Sequence, residues 1–268
     1  MRIQHNIAGI NSYRNLGVNQ RNLSKNLEKL SSGFRINRAG DDAAGLAISE
    51  SMRSQINGLN QAAKNADDAI GLIQTAEGAL THSMLQRLKT LATQGANGTY
   101  DDTARGNINK EITDLNAEID RIAESTSFNG VTPLKQNTKF TFQIGATKDE
   151  VLKFDCKVTM DSTGLKINDI TVNDTAAANG AITKIDAAIN SVSAYRAELG
   201  AKQNRLEHTV NNLNVTAENI TAAESRIRDT DMADEMTAFT KNNILSQAAQ
   251  SMLAQANAQP QGILSLLQ

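Results

Sequence analysis

Only two prolines, Pro133 and Pro260, stand in this chain of 268 residues, and helix-period apolar patterning fills most of the sequence on either side of a short irregular middle. Proline removes a backbone donor and crowds the preceding turn, so its scarcity leaves both arms free to form long helices. Aromatic residues are 3% of the chain and Trp is absent, while Ala, Leu, Ile and Met supply most of the 40% that is hydrophobic. Side chains of that kind suit thin helix-on-helix seams better than a wide sandwich core. The expected fold class is therefore mainly α: an antiparallel long-helix coiled-coil bundle formed by the N- and C-terminal arms, with a small antiparallel β element in the middle.

The first helix is expected from about Ile3 to Leu30. Ile3, Ile7 and Ile10 share a face, and Leu23, Leu27, Leu30 and Phe34 resume the pattern after a slip around Tyr13 to Gln20. Ser31-Ser32-Gly33 is a stop signal, with Gly33 available for the left-handed position past the helix end. One of Asp41 and Asp42 is placed to cap the next helix. That helix carries the clearest seam: Met52, Ile56, Leu59, Ala63, Ala66, Ile70 and Ile73 recur by four and three. Beyond Glu77 a second face of Leu85, Leu88 and Leu91 takes over, and Gly95 and Gly98 close a helical stretch expected to run from Met52 to Leu91. Ile108, Ile112, Leu115, Ile119 and Ile122 mark a further helix from about Thr103 to Ala123.

From Lys139 the period drops to two. Segments 140–143, 151–160 and 165–172 read as strands separated by turn-forming residues, enough for a small antiparallel element. Helical patterning returns near Ala181 and holds a heptad phase through Ile185, Ile189, Val192, Leu199, Leu206, Val210, Leu213, Ala217, Ile220 and Ile227. Polar Arg196, Gln203 and Glu224 at the expected seam favour a multi-helix bundle over a strict dimeric coiled coil. At the α-helical rise, about 45 residues reach roughly 70 Å, so this arm needs a long partner, and the Met52 to Leu91 stretch is the obvious one. Asp231 and Asp234 signal the start of a last helix, expected to end near Asn257, with an apolar tail after Pro260.

The two terminal arms carry more apolar surface than one narrow pair of helices can bury. They are expected to pair with each other, to cover their remaining apolar faces with other copies of the chain, and to order on assembly. The expected assembly interface comprises Ile3, Ile7, Ile10, Leu23, Leu27, Leu30, Met236, Phe239, Leu253, Leu264 and Leu267. Residues 1–34 with 231–268 form the expected terminal domain, and 35–230, including segment 133–180, the expected rod domain.

Other function classes find little support. A formal net charge of −2, with 27 basic and 29 acidic residues interleaved, offers no basic block for a nucleic-acid backbone. No apolar run reaches membrane-spanning length, and the start lacks the pattern of a cleaved secretory signal. His5, His82 and His208 sit in separate segments without metal-ligand spacing, and Asp41-Asp42 reads as a cap and not a catalytic pair. The stretch from Gly40 to Gly45 lacks the remainder of a phosphate loop, and nothing pairs Cys156 with a histidine. No catalytic, cofactor or metal residues are expected. A helical-bundle signalling or adaptor protein would share the heptads but would not need apolar ends.

Several segments carry a specific resemblance: M-R-I-Q-H-N-I at the start, L-S-S-G-F-R-I-N-R-A-G-D-D-A-A-G-L-A-I-S from Leu30 to Ser49, I-Q-T-A-E-G-A-L from Ile73 to Leu80, A-A-E-S-R-I-R-D-T-D-M-A from Ala222 to Ala233, and N-N-I-L-S-Q-A from Asn242 to Ala248. Together they resemble bacterial flagellin across about residues 1–130 and 181–268. The resemblance implies a self-assembling subunit of the extracellular flagellar filament, secreted unfolded through the type III apparatus without a cleaved signal. Implied partners are further copies of the chain, cap and hook–filament junction proteins, and an export chaperone at the C-terminal helix. The junction protein, of related sequence, is the nearest alternative. Q-R-L-K-T-L further resembles the segment through which some flagellins are sensed by a host Toll-like receptor, which implies Arg87, Leu91 and Glu111 as contacts. Thr90 stands where many detected members carry Glu.

Overall fold

The computed structural model describes residues 6–134, 139–155 and 159–266, with the side chains of 155 and 260–266 outside that description. Six helices and two strands follow one another: α1 Ile7–Ser32, α2 Ala43–Gly78, α3 His82–Gly95, α4 Asp102–Ser125, β1 Lys139–Gln143, β2 Val151–Asp155, α5 Thr175–Arg228 and α6 Met232–Leu266. The architecture is mainly helical, the long N- and C-terminal helices pack together, and one two-stranded antiparallel sheet lies in the middle of the chain. The chain divides into two compact units, residues 1–54 with 219–268 and residues 55–218.

Short polar side chains start most of the helices. Asn6 accepts from the Gly9 N–H at 3.0 Å, Asp42 from Gly45 at 2.9 Å, Asp101 from Ala104 at 2.9 Å, Asp174 from Ala177 at 2.6 Å and Asp231 from Ala233 at 2.8 Å. Asp234 and Glu235 then add negative charge to the first turn of α6. At the other end of α1, Gly33 adopts φ 74°, the left-handed stop expected of it, and returns its N–H to Lys29 O at 2.8 Å.

In the first unit, the chain leaving α1 runs beside the chain entering α6. Thr230 N–H donates to Gly33 O at 3.0 Å, and Arg35 N–H to Arg228 O at 2.7 Å. Arg228 lies 4.6 Å over the Phe34 ring and reaches Glu50 at 3.0 Å, while Ser49, fully buried, donates to Glu224 at 2.8 Å. Asp41 does not cap α2. Its carboxylate instead accepts from the Arg38 and Asn37 N–H groups at 3.1 and 3.4 Å, closing the turn before the helix. The Arg38 bond is the main reason that its pKa lies below the ordinary carboxylate range; desolvation opposes it, and the Asn37 bond and the nearby Lys25 and Lys29 add smaller lowering effects.

The second unit holds the large core. Leu85, Leu88 and Leu91 of α3, Ile112 and Ile119 of α4 and Phe154 of β2 are shut off from solvent in one cluster with Ile73 of α2 and Ile185 and Leu199 of α5. On α5 the buried positions Ile185, Val192, Leu199, Leu206 and Leu213 keep a seven-residue repeat, and Ala181, Ala188 and Tyr195 keep a second. Tyr195 thus holds the seam position beside Arg196. The arginine turns outward to Glu77 at 3.0 Å.

The expected continuous helix from Met52 to Leu91 is broken at 79–81. Gly78 ends α2, the next bonds tighten to Leu80 N–H on Glu77 O, and α3 restarts at His82. A straight helix cannot turn both the Ile73 face and the Leu85, Leu88, Leu91 face into one core, and the break reorients the chain to do so. The helix expected from Ala181 begins earlier, at Thr175.

β1 and β2 pair in the register Lys139↔Asp155 to Gln143↔Val151, which stacks Phe140 on Phe154 at 5.8 Å, and the Phe154 ring lies tilted against Tyr195 of α5 at 6.2 Å. The expected third strand at 165–172 is absent. Leu165, Ile167, Ile170 and Val172 are buried, but the backbone bonds in local turns, Ile167 N–H to Ser162 O at 2.8 Å, with Lys166 at φ 58°. Burial at spacings of two, three and two here comes from a strap laid over the core. One face of α4 grips it: Asn116 donates to Ile167 O at 3.0 Å, Asn109 accepts from Val172 N–H at 2.9 Å, and Asp120 accepts from Ser162 N–H and Oγ at 2.7 and 2.8 Å. Cys156 lies outside the described residues.

Phe154, fully buried between sheet and α5, gives a direct check on this core. Phe154→Ala is expected to destabilise the soluble chain by about 3–5 kcal/mol in denaturant unfolding. For Asp41, the lowered folded pKa means that its carboxylate supports the fold above the ordinary carboxylate range and loses that role as pH falls through the folded value. Asp41→Asn is therefore expected to loosen loop 36–42 in hydrogen exchange at neutral pH, with the difference from the parent vanishing only in strong acid.

Candidate functional site: the terminal helix pair

Helices α1 and α6 run antiparallel, tied by Asn6 Nδ2 to Ala256 O at 2.8 Å at one end and by Lys29 Nζ to Glu235 at 3.5 Å toward the other. The buried positions along this pair are small or polar: Gly9 and Asn26 on α1, Ser246 and Ala256 on α6. Small residues let the backbones approach but remove little apolar area from water. Asn26 Nδ2 has no hydrogen-bond partner among the described residues, a further cost to this seam.

Many of the large apolar side chains go the other way. Ile7, Ile10, Tyr13, Val18 and Leu27 on α1, and Met232, Met236, Ile244, Leu245 and Met252 on α6, are between 39% and 70% exposed. On α6, Met236, Thr240 and Ile244 form one i, i+4 row and Thr237, Lys241 and Leu245 the next, with a shallow groove between. Such rows are the ridges that a further helix packs into.

Of the residues expected at an interface, Ile7, Ile10, Leu27 and Met236 are exposed, and Leu23, Leu30, Phe239 and Leu253 are half-buried. Ile3 and Leu267 lie outside the described residues, as does the Leu264 side chain, although its backbone belongs to α6. The last helix does not end near Asn257: it continues through Pro260 to Leu266. Asn6, which caps α1 and also reaches α6, was not legible as an interface residue, because an asparagine before an apolar run reads only as a cap.

Among the described residues, no group of three or more His, Cys, Asp or Glu side chains could hold a metal ion, and no helix is long and apolar enough to cross a membrane. In the second unit, Arg87 and Glu111 meet across α3 and α4 at 2.6 Å with both side chains about half exposed. Leu91 does not join them. It is 1% exposed and packs inward with Leu85 and Leu88.

The pattern of the bacterial flagellin N-terminal helical region matches residues 3–139, and that of the bacterial flagellin C-terminal helical region matches residues 182–267. The chain belongs to the bacterial flagellin family. It is 51% identical to the flagellin of Bacillus subtilis (strain 168) and 52% identical to that of Halalkalibacterium halodurans, in both cases over the whole of each chain. It is also 48% identical, end to end, to the flagellar filament 33 kDa core protein of Treponema phagedenis. A crystal structure of Bacillus cereus flagellin aligns with a TM-score of 0.51 at 33% identity, covering 60% of this chain and 94% of that one. A flagellar hook-associated protein of Vibrio parahaemolyticus shares the fold, with a TM-score of 0.57 at 12% identity over 70% of this chain and all of that one. This flagellin is a non-enzymatic structural subunit of the extracellular flagellar filament, and it self-polymerises.

The surface pair and the buried leucine of the second unit should respond differently to substitution. Glu111→Gln is expected to change unfolding stability by less than about 1 kcal/mol, as for other exposed ion pairs. Leu91→Ala is expected to cost about 2–5 kcal/mol in the same measurement.

Proposed function

We propose that polymerisation proceeds through the terminal helix pair, with residues 1–34 and 231–268 as the inner, tube-lining coiled-coil domain and 35–230 as the rod domain. One observation supports this reading above others: the fully buried positions of the pair are Gly9, Asn26, Ser246 and Ala256, while ten of its large apolar side chains, among them Ile7, Ile10, Met236 and Ile244, stand in solvent. Fully burying such a side chain is worth about 1.5–3 kcal/mol, so it takes most of these exposed side chains together to offset the roughly 4–15 kcal/mol that adding one more copy to a filament end costs. Ile7, Ile10, Leu27 and Met236 are the exposed contacts in this scheme, with Ile3, Leu264 and Leu267 extending the surface and Leu23, Leu30, Phe239 and Leu253 bordering it.

Family resemblance extends the proposal to export and incorporation. The chain travels unfolded through the flagellar type III apparatus, with a chaperone on its C-terminal helix, and is added beneath a cap on a filament seated on junction proteins. The apolar rows of α6 suit a chaperone that must shield them before assembly. A host Toll-like receptor is a further proposed partner. Arg87 and Glu111 are available to it as a surface pair, and Leu91 would act by supporting α3 from within.

Removing about twenty residues from either end is expected to leave a folded, soluble monomer that no longer polymerises, because the large core lies within residues 66–206. Met236→Asp and Ile244→Asp should have the same effect with unfolding of the monomer unchanged. Light scattering and electron microscopy of concentrated protein read the outcome, and filaments of ordinary width from the truncated chains would overturn the proposal.

A further inference from the structure

An α-helix normally bonds each carbonyl to the N–H four residues on, so the Ala256 carbonyl should meet the N–H of residue 260. Residue 260 is proline and has no N–H, yet α6 continues through it to Leu266. The carbonyl left over is the one that Asn6 Nδ2 reaches, at 2.8 Å, from the other terminal helix. The same side chain uses its oxygen to accept the Gly9 N–H at 3.0 Å, which caps α1. Gly9 makes room for this arrangement: a Cβ there would stand 2.9 Å from Asn6 Nδ2 and 3.3 Å from Asn257 Oδ1.

We infer that Asn6 and Pro260 form a two-part register lock, in which proline frees one carbonyl of α6 and Asn6 both starts α1 and claims that carbonyl. Ahead of its last turn, an α-helix engages its other backbone carbonyls internally, so an amide shifted by one turn along α6 in either direction finds a carbonyl that already has an N–H partner. The seam itself discriminates weakly between registers, since its buried positions are small or polar. Asn6 is thus a positioning residue for polymerisation. It fixes how the two termini align, and with that the pattern of apolar rows that the pair presents to the next subunit. This inference rests on the terminal pair being the polymerising element.

The lock separates from ordinary capping by a double-substitution cycle in the full chain. Asn6→Ser keeps an equally good capping oxygen but is too short to reach Ala256. Pro260→Ala restores the N–H that satisfies Ala256 within α6. Each variant is mixed with isotope-labelled parent chain, grown on parent filament seeds, and its share of the new filament is read by mass spectrometry, so a variant that cannot nucleate alone still gives a number. Asn6→Ser is expected to lower incorporation about three- to tenfold, the usual worth of one such bond. In the Pro260→Ala background the same substitution should change incorporation less than about twofold, since the carbonyl no longer needs Asn6. Equal losses in both backgrounds, or no loss in either, would overturn the lock. A chain lacking the terminal residues serves as the control: if it incorporates as the parent does, the terminal-pair reading fails, and if it is excluded while the cycle is additive, only the lock fails. Hydrogen exchange of peptide 6–12 in the mixed filaments provides a second readout, with protection lost in Asn6→Ser and regained in the double variant.

Discussion

Two helices that meet through glycine, alanine, serine and asparagine can come close, but they cannot hide their own isoleucines and methionines. That constraint organises the terminal unit. Burial of Gly9 and Ala256 brings the backbones of α1 and α6 near enough for the Asn6 side chain to bond the Ala256 carbonyl, and it leaves many of the bulky residues exposed. The pair is consequently held by a few specific contacts, Asn6 to Ala256, Lys29 to Glu235 and the strand-like meeting of Phe34 with Asp229. Most of the apolar free energy available to it lies unspent until another copy arrives.

The second unit resolves the same shortage of aromatic bulk differently. It closes a core from one chain by breaking a helix at 79–81, so that α3 faces inward, and by covering the remaining side with a strap whose polar backbone is satisfied by α4. The buried main-chain groups of that strap at Ser162, Ile167 and Val172 are met by Asp120, Asn116 and Asn109 of the same unit. Apart from the buried Arg105, charged residues mostly stay at the edges: Glu77 with Arg196, Lys89 with Asp186 and Arg87 with Glu111 are surface pairs that add little stability.

Much of this could be read from residue order. The Ile185, Val192, Leu199, Leu206 repeat announced α5, Gly33 announced the end of α1, and the apolar ends announced an unpaired surface. The misses share a cause. Leu85, Leu88 and Leu91 looked like a continuation of α2 because periodicity is blind to a short break that changes direction. Segment 165–172 looked like a strand because alternating burial arises in any chain laid flat on a core, whatever its bonds, and only Asn109, Asn116 and Asp120 reveal that no neighbouring strand supplies them. Pro260 looked like the end of a helix because the sequence does not show that the carbonyl it strands finds a donor on α1.

The strap also bears on how such a surface changes over time. α4 holds it by main-chain carbonyls and amides and by the buried side chains of Leu165, Ile167, Ile170 and Val172, while Thr163, Lys166, Asn168, Asp169 and Thr171 point into solvent and take no part in those bonds. Substitutions at these five positions alter charge and hydrogen-bonding groups on the outside without touching what anchors the segment. The grip therefore decouples appearance from folding. The outer chemistry of this strap can change while the core beneath it keeps the same packing.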